Sequence, residues 1–173
     1  TMEKLDMLSN DFWFHQTVGN LRASVRQLLG KDFSFTAGST AEHTGIWFEL
    51  LKENRDVRNN YLTWLPFANI NKTWREKLSL TFAYRRSIRR PGIGELNPTI
   101  DFSDPYNIRF GNSELEASTS DNFDFIIGRT KTKYFINLGF GFNKVDNIFS
   151  QVRTLLPDGK TQITWENISD RKE

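Results

Sequence analysis

Leu78-Ser79-Leu80-Thr81-Phe82-Ala83-Tyr84-Arg85-Arg86 decides the fold class of this chain. Leu78, Leu80, Phe82 and Tyr84 fall on one side of an extended backbone, and Ser79, Thr81, Ala83 and Arg85 fall on the other. A period of two with unlike faces is a β-strand between an apolar and a polar environment. Tyr134, Ile136, Leu138, Phe140 and Phe142 repeat it against Asn137, Gly139, Gly141 and Asn143, with Phe135 as the one large residue on the second face. Glycine keeps that second face thin.

Working outward, Phe33, Phe35 and Ala37 alternate with Ser34, Thr36 and Gly38, and Phe123, Phe125 and Ile127 with Asn122, Asp124 and Gly128. Val18 to Leu28 carries a weaker alternation. Tyr61 to Asn71 is apolar on both faces and contains Pro66, which reads as a strand with an irregularity. Thr161 to Asn167, with Ile163 and Trp165 on one face, completes about seven strands. The expected class is all-β: an antiparallel up-and-down meander forming part of a larger transmembrane barrel, with residues 1–173 as a single domain.

The connections alternate in length. Gly30-Lys31-Asp32, Lys72 to Lys77 and Thr130 to Lys133 are short; residues 43–60 and 89–120 read as long loops. Tight turns at one end and large loops at the other are what an outer-membrane barrel shows, with its long loops outside the cell. Pro157-Asp158-Gly159-Lys160 is a hairpin signal on the long-loop side, extending the Tyr134 strand beyond the membrane. Helix is expected only near the acidic start or over Glu49 to Arg58. Residues 1–10 are expected to be a poorly ordered start, and any export signal to lie upstream or to have been removed.

Composition bounds the reading without choosing it. The 173 residues carry 23 basic and 21 acidic side chains and no cysteine, which excludes disulfides and cysteine-based zinc sites. No apolar run approaches the roughly 20 residues of a spanning helix, whereas a spanning strand needs only about 9 to 11.

The run Tyr84-Arg85-Arg86-Ser87-Ile88-Arg89-Arg90-Pro91, then Leu96-Asn97-Pro98, Ser103-Asp104-Pro105-Tyr106-Asn107-Ile108 and Gly111-Asn112-Ser113-Glu114-Leu115, resembles the barrel of TonB-dependent receptors. More narrowly, it is similar to the outer-membrane β-barrel branch common in Bacteroidetes. Ser113 stands where that branch usually has proline, and Ala117-Ser118 near its usual Pro-Glu. The resemblance covers the chain from about Gln16 onward. It implies the bacterial outer membrane, surrounding lipid, a plug domain inside a barrel of about 22 strands, and opening by the inner-membrane protein TonB. The resemblance further implies import of a nutrient such as a siderophore, vitamin, glycan or peptide. About seven strands make only part of such a wall, with two open edges through which the isolated piece is expected to self-associate.

Candidate ligand-binding residues are Arg85, Arg89, Arg90, Asp101, Asp104 and Tyr106, because long loops on a rigid scaffold carry recognition. Arg85 has the parity of the polar face and is expected to point into the lumen. The same arginines beside Tyr84 are less suited to nucleic acid than to loop carboxylates or lipopolysaccharide phosphates. His15 and His43 have no partner at metal-ligand spacing, so no metal is expected. The acids Glu95, Asp101, Asp104, Glu114 and Glu116 read as solvated before they read as a calcium site or catalytic pair. Ser120-Asp121-Asn122 lacks the companion motifs of a β-lactamase, so the expectation is no enzyme and no cofactor. Trp13, Tyr61, Trp64, Trp74, Tyr84, Tyr134 and Trp165 are candidates for an interfacial aromatic girdle. The competing reading is a soluble β-barrel or sandwich ligand-binding module. It turns on whether Leu78, Leu80, Phe82, Ile136, Leu138 and Phe140 face lipid or each other.

Overall fold

The computed structural model describes residues 12–50, 55–75, 77–101 and 104–168. The expected start, residues 1–10, lies outside the described residues. Six long strands pair in chain order: β1 (Phe12–Leu29), β2 (Phe33–Leu50), β3 (Arg55–Trp74), β4 (Leu78–Arg89), β6 (Ser118–Lys131) and β7 (Tyr134–Asp146). Every pairing in this sheet is antiparallel. Between β4 and β6 lie a single-turn helix α1 (Ile93–Leu96) and a short strand β5 (Asn107–Arg109). Two further strands, β8 (Ile148–Leu155) and β9 (Thr161–Ile168), form a second sheet with β5 in the order β5-β9-β8.

All seven strands expected from the alternation are present; β5 was not anticipated, and the stretch read as an extension of the Tyr134 strand is a separate strand, β8, in the second sheet. Segment 43–60 is corrected. Residues 43–50 belong to β2 and 55–60 to β3, paired from Leu50 with Arg55 down to His43 with Leu62, so the long loop is the upper part of a hairpin. Sequence missed it because the inward side of β2 carries Thr44, Ile46 and Phe48 against outward His43, Gly45, Trp47 and Glu49, an alternation that mixes polar and apolar types on both faces. Glu49 to Arg58, read as loop with room for one short helix, is strand where it is described. Inside the 89–120 loop, Arg89 belongs to β4 and 118–120 to β6.

Directly opposed residues on neighbouring strands share a face. One row reads Val25, Ala37, Ala68, Tyr84, Phe123, Phe142 across the whole sheet; the next reads Gln27, Phe35, Ile70, Phe82, Phe125, Phe140. Tyr84 stacks on Phe123 at 4.8 Å between ring centroids. This face is left uncovered: Leu138 is 59% and Phe140 68% exposed, and Leu78 and Ile136 are also exposed. In a soluble sandwich a second layer would bury these residues. Uncovered apolar rows on one face are what a sheet facing lipid needs.

The apolar band runs obliquely across the strands. Its upper end in β1, Leu21, lies four residues beyond Val25, the residue in register with the upper ends Tyr84, Phe123 and Phe142. Its lower end in β7, Tyr134, lies four residues beyond Leu138, which shares a row with the lower end Leu29. A drift of that size over five strand spacings of about 4.8 Å means strands tilted by roughly 30° to a band about 24 Å tall. Trp74 and Tyr134 mark its tight-turn edge, and Trp64 and Tyr84 its other edge. Tyr61 and Trp165 leave the proposed girdle because both pack against the buried cluster, and Trp13 lies farther out on the same outward face.

The opposite face is polar and hydrogen-bonded. Thr81 donates to Asn71 at 2.9 Å, and the Asn143 amide donates to Ser120 at 2.8 Å and Asn122 at 2.6 Å. Gly38 lets the Phe67 ring and the Ala23 carbonyl approach to where a Cβ would stand. The β1–β2, β3–β4 and β6–β7 turns all fall at one end, with Gly30 at φ 70° in the first. At the other end β7 passes into β8 through Asn147 alone, at φ 55°, and the Pro157 to Lys160 turn closes with Gly159 at φ 81°. The chain of the Tyr134 strand therefore runs on at this end into β8, which pairs in the second sheet and not as a continuation of the first.

Candidate functional site

Above the apolar band, the inward residues of β2 change from half-buried to buried: Glu42, Thr44, Ile46 and Phe48 are all buried. The connection from β4 to β6 covers Glu42, Thr44 and Ile46, with Phe149 of β8 beside it, while Phe12 and Phe14 of β1 lie against Phe48. Leu96 of α1 and Leu115 are buried with Ile46 and Phe149, and Phe14, Tyr61 and Trp165 pack around them. The longest loop is thus folded against the inner wall and not held free outside.

The motif residues of the sequence supply its fastenings. The Gly111 and Asn112 amides donate to the Asn97 carbonyl at 2.6 Å and the Glu95 carbonyl at 2.8 Å. A Cβ on Gly111 would stand 2.6 Å from the same two carbonyl oxygens, a separation no side chain tolerates. Gly111→Val is therefore expected to destabilise the loop by about 2 kcal/mol or more through forced backbone movement, read as faster protease cleavage within 93–117 while the six-stranded sheet stays intact. The Asn112 side chain accepts from the Glu114 amide at 2.9 Å and donates to the Trp165 carbonyl at 3.0 Å. This local turn holds the segment although Ser113 replaces the usual proline. Asn167 accepts from the Glu116 amide at 2.9 Å and donates back to the Glu116 carbonyl at 3.0 Å.

The six candidate residues separate into distinct places. Arg90 forms an ion pair with Glu42 and its Nε donates to Thr44 at 3.3 Å, fixing the start of the loop to the wall. Arg89 lies over the Phe149 ring at 4.6 Å and pairs with Glu95 at 3.3 Å. Glu95 also accepts from the Gly92 amide at 2.5 Å. Arg85 is exposed on the inner face, as its parity indicates, in register with Phe67, whose ring takes the Arg22 guanidinium at 4.2 Å from the centroid. Among the described residues, its guanidinium has no carboxylate partner. Asp101 bridges to Arg109 through the backbone and lines a polar cleft of about 470 Å³ with Glu95, Arg109, Gln151 and Trp165. Arg109, Gln151 and Trp165 were not anticipated as lining; their convergence depends on the parallel pairing of β5 with β9, which no local pattern announces.

Asp104 and Tyr106 share a turn farther out. The Asp104 carboxylate accepts from the Asn107 side chain at 2.7 Å and from the Tyr106 amide at 2.9 Å. These bonds, the side-chain bond from Asn107 foremost, hold its pKa below the usual carboxylate value. The turn's stabilisation is therefore present above the unfolded pKa of about 3.9 and is lost as pH falls through the lower folded value. Amide exchange at Tyr106 and Asn107 is expected to lose protection only in that acid window, and Asp104→Ala to abolish the protection at neutral pH.

Among the described residues, no group of three or more His, Cys, Asp or Glu side chains could hold a metal. Three of the loop acids have separate partners, Glu95 in Arg89, Asp104 in Asn107 and Glu116 in Asn147 at 3.1 Å, while Glu95 and Asp101 line the same cleft.

An open, tilted antiparallel sheet with a lipid-type face, a polar inner face and a loop folded inward defines the wall of an outer-membrane β-barrel. The chain belongs to the outer membrane protein beta-barrel family, whose sequence profile matches residues 1–173. Its place is accordingly the bacterial outer membrane. Among solved structures it is similar to the siderophore receptor PirA of Pseudomonas aeruginosa, with 16% identity, a TM-score of 0.55, and coverage of 89% of this chain and 38% of that one. A variant of the ferric enterobactin receptor PfeA of the same organism, in complex with enterobactin, gives 15% identity, a TM-score of 0.54 and coverage of 91% and 32%. At these identities the likeness establishes the fold, and the chain spans about a third of the length of those receptors. No curated protein sequence matches it.

Proposed function

We propose that this chain is the barrel-wall segment of a TonB-dependent outer-membrane receptor that imports a nutrient, with a plug domain and TonB as partners of the whole protein. The observation that carries the reading is the connection from β4 to β6 packed against the inward face of β2: in the closed barrel it would narrow the interior at the outer end and line it with fixed polar groups. A passive pore needs an open lumen, whereas a receptor needs a shaped, preorganised one. The role of the segment is non-catalytic: wall, lumen lining and loops.

Of the six candidates, Arg85, Asp101 and Tyr106 face space that a ligand can reach, and Arg109 joins them; Asp104 shapes the turn that presents Tyr106. Arg89 and Arg90 position the loop on which these residues sit. The solved neighbours make a ferric siderophore the first ligand class to try, ahead of cobalamin, glycans and peptides. The test is uptake of labelled ligands by cells producing the intact receptor, with and without TonB. The reading requires saturable uptake that stops when TonB is deleted and weakens in Arg85→Gln or Arg109→Gln. Solute passage that persists without TonB would show a pore and end the proposal.

A further inference from the structure

Pairing of β3 with β4 ends at Phe67 and Arg85, although β3 goes on beside β2 to Arg55 and β4 goes on beside β6 to Arg89. The residue above Phe67 is Pro66, which has no N–H to give to a ladder. The two strands part there. On the inner side of this fork lies a cleft of about 390 Å³ whose lining includes Arg22, Thr40, Phe67, Asn69 and Arg85, side chains from four neighbouring strands. The Phe67 ring lies over Gly38, where a Cβ would stand 2.7 Å from its Cζ, and the Arg22 guanidinium sits 4.2 Å from its centroid. A ring face holds a guanidinium in place without taking up its N–H donors, so the fork of Arg22 stays free to bond. The Asn69 oxygen accepts from Asn71, and its NH2 group is the donor that remains.

The charge of this cleft is unbalanced. Among the described residues neither Arg22 nor Arg85 has a carboxylate partner, and no acid belongs to the lining. The carboxylates around it are committed elsewhere: Glu42, one row above Thr40 on β2, to Arg90, and Asp121, on the outward side, to Arg86 at 2.7 Å. Asp124, one row below Arg85 on β6, forms no ion pair with it. Two like charges in one cleft repel each other, and an oxyanion between them removes that cost while giving each guanidinium an acceptor of matching geometry. We propose that this cleft seats an anionic oxygen group, carboxylate or phosphate, of the imported nutrient, so that the ligand is an anion and not a neutral sugar. The inference rests on the receptor reading for the source of the anion; the other source of the same chemistry is an acidic side chain of the protein's own plug domain. Phe67 acts through Arg22 and is a positioning residue.

The test is calorimetric titration of the detergent-purified full-length protein with pyrophosphate and with succinate, glucose serving as the neutral probe. The anions should bind and glucose should not. Arg22→Gln and Arg85→Gln should each weaken anion binding about tenfold, while Arg26→Gln, on the inner face two rows below Arg22 and outside the cleft, leaves it unchanged. Phe67→Leu removes the surface that holds Arg22 and should weaken binding, and Phe67→Tyr, which keeps a ring, should retain it. Equal affinity in all variants, an equal loss in Arg26→Gln, or glucose binding as tight as that of the anions would overturn the proposal. So would an unaltered protein that binds neither anion while Arg22→Gln and Arg85→Gln lower its melting temperature without any probe, the sign that a plug carboxylate already fills the seat. The titration needs neither TonB nor energy, so TonB-independent passage would end the receptor reading with anion binding intact, whereas loss of anion binding beside TonB-dependent uptake would end this inference alone.

Discussion

Leu138→Arg in the intact outer-membrane protein is expected to reduce the folded, membrane-inserted fraction sharply, and Asn137→Arg, one residue earlier, to leave it nearly unchanged. Leu138 sits in the middle of the β7 apolar run, between Ile136 and Phe140, on the uncovered face. A cation at that depth on a lipid-facing strand costs about 2 to 4 kcal/mol, to which the lost Leu contact adds. Asn137 lies opposite Gly128 on the inner face, where its side chain meets the space that glycine leaves. There a longer polar chain is solvated by the lumen. Heat-modifiable gel mobility and outer-membrane yield measure both. Equal tolerance of the two substitutions would contradict the assignment of faces on which the fold reading stands.

Arg90→Ala is expected to release the 90–117 connection from the wall. It strips the partner from Glu42, a buried carboxylate, and removes the donor to Thr44. An uncompensated buried charge costs about 3 kcal/mol, and it falls on the attachment of one loop while the ladder of the main sheet remains intact. Protease sensitivity between Ile93 and Leu115 should rise with the sheet still folded. Adding Glu42→Gln should recover part of the loss, since the orphaned charge is then gone. If Arg90→Ala leaves the protease sensitivity of the loop unaffected, the anchoring role fails.

The parts that sequence revealed and the parts it concealed divide along a physical line. Strands such as Leu78 to Arg86 and Tyr134 to Asn143 lie within the bilayer band, where lipid on one side and water on the other impose a strict period of two. Beyond the band both faces meet mixed surroundings, so Thr44 to Leu50 and Arg55 to Asn60 lose the contrast and looked like loop. Leu96, Gly111, Asn112 and Leu115 were legible as motif residues, yet their task is to fasten the loop to β2 and β9, a tertiary relation that spacing does not encode. Arg85 could be placed inward by parity alone. The engagement of Arg89 and Arg90 could not, because Glu42 is 48 residues away from Arg90.

The order of the large sheet also bears on how such a wall is assembled. Each strand pairs with the one before it, and the sole detour, between β4 and β6, returns the chain to the edge that β4 left open. At every stage of growth a single new edge is on offer to the next segment, so no search among competing templates is needed and mispairing has little opportunity. The wall can lengthen hairpin by hairpin as the chain arrives, with the inward-folding detour completed as β6 and β9 take their places beside it.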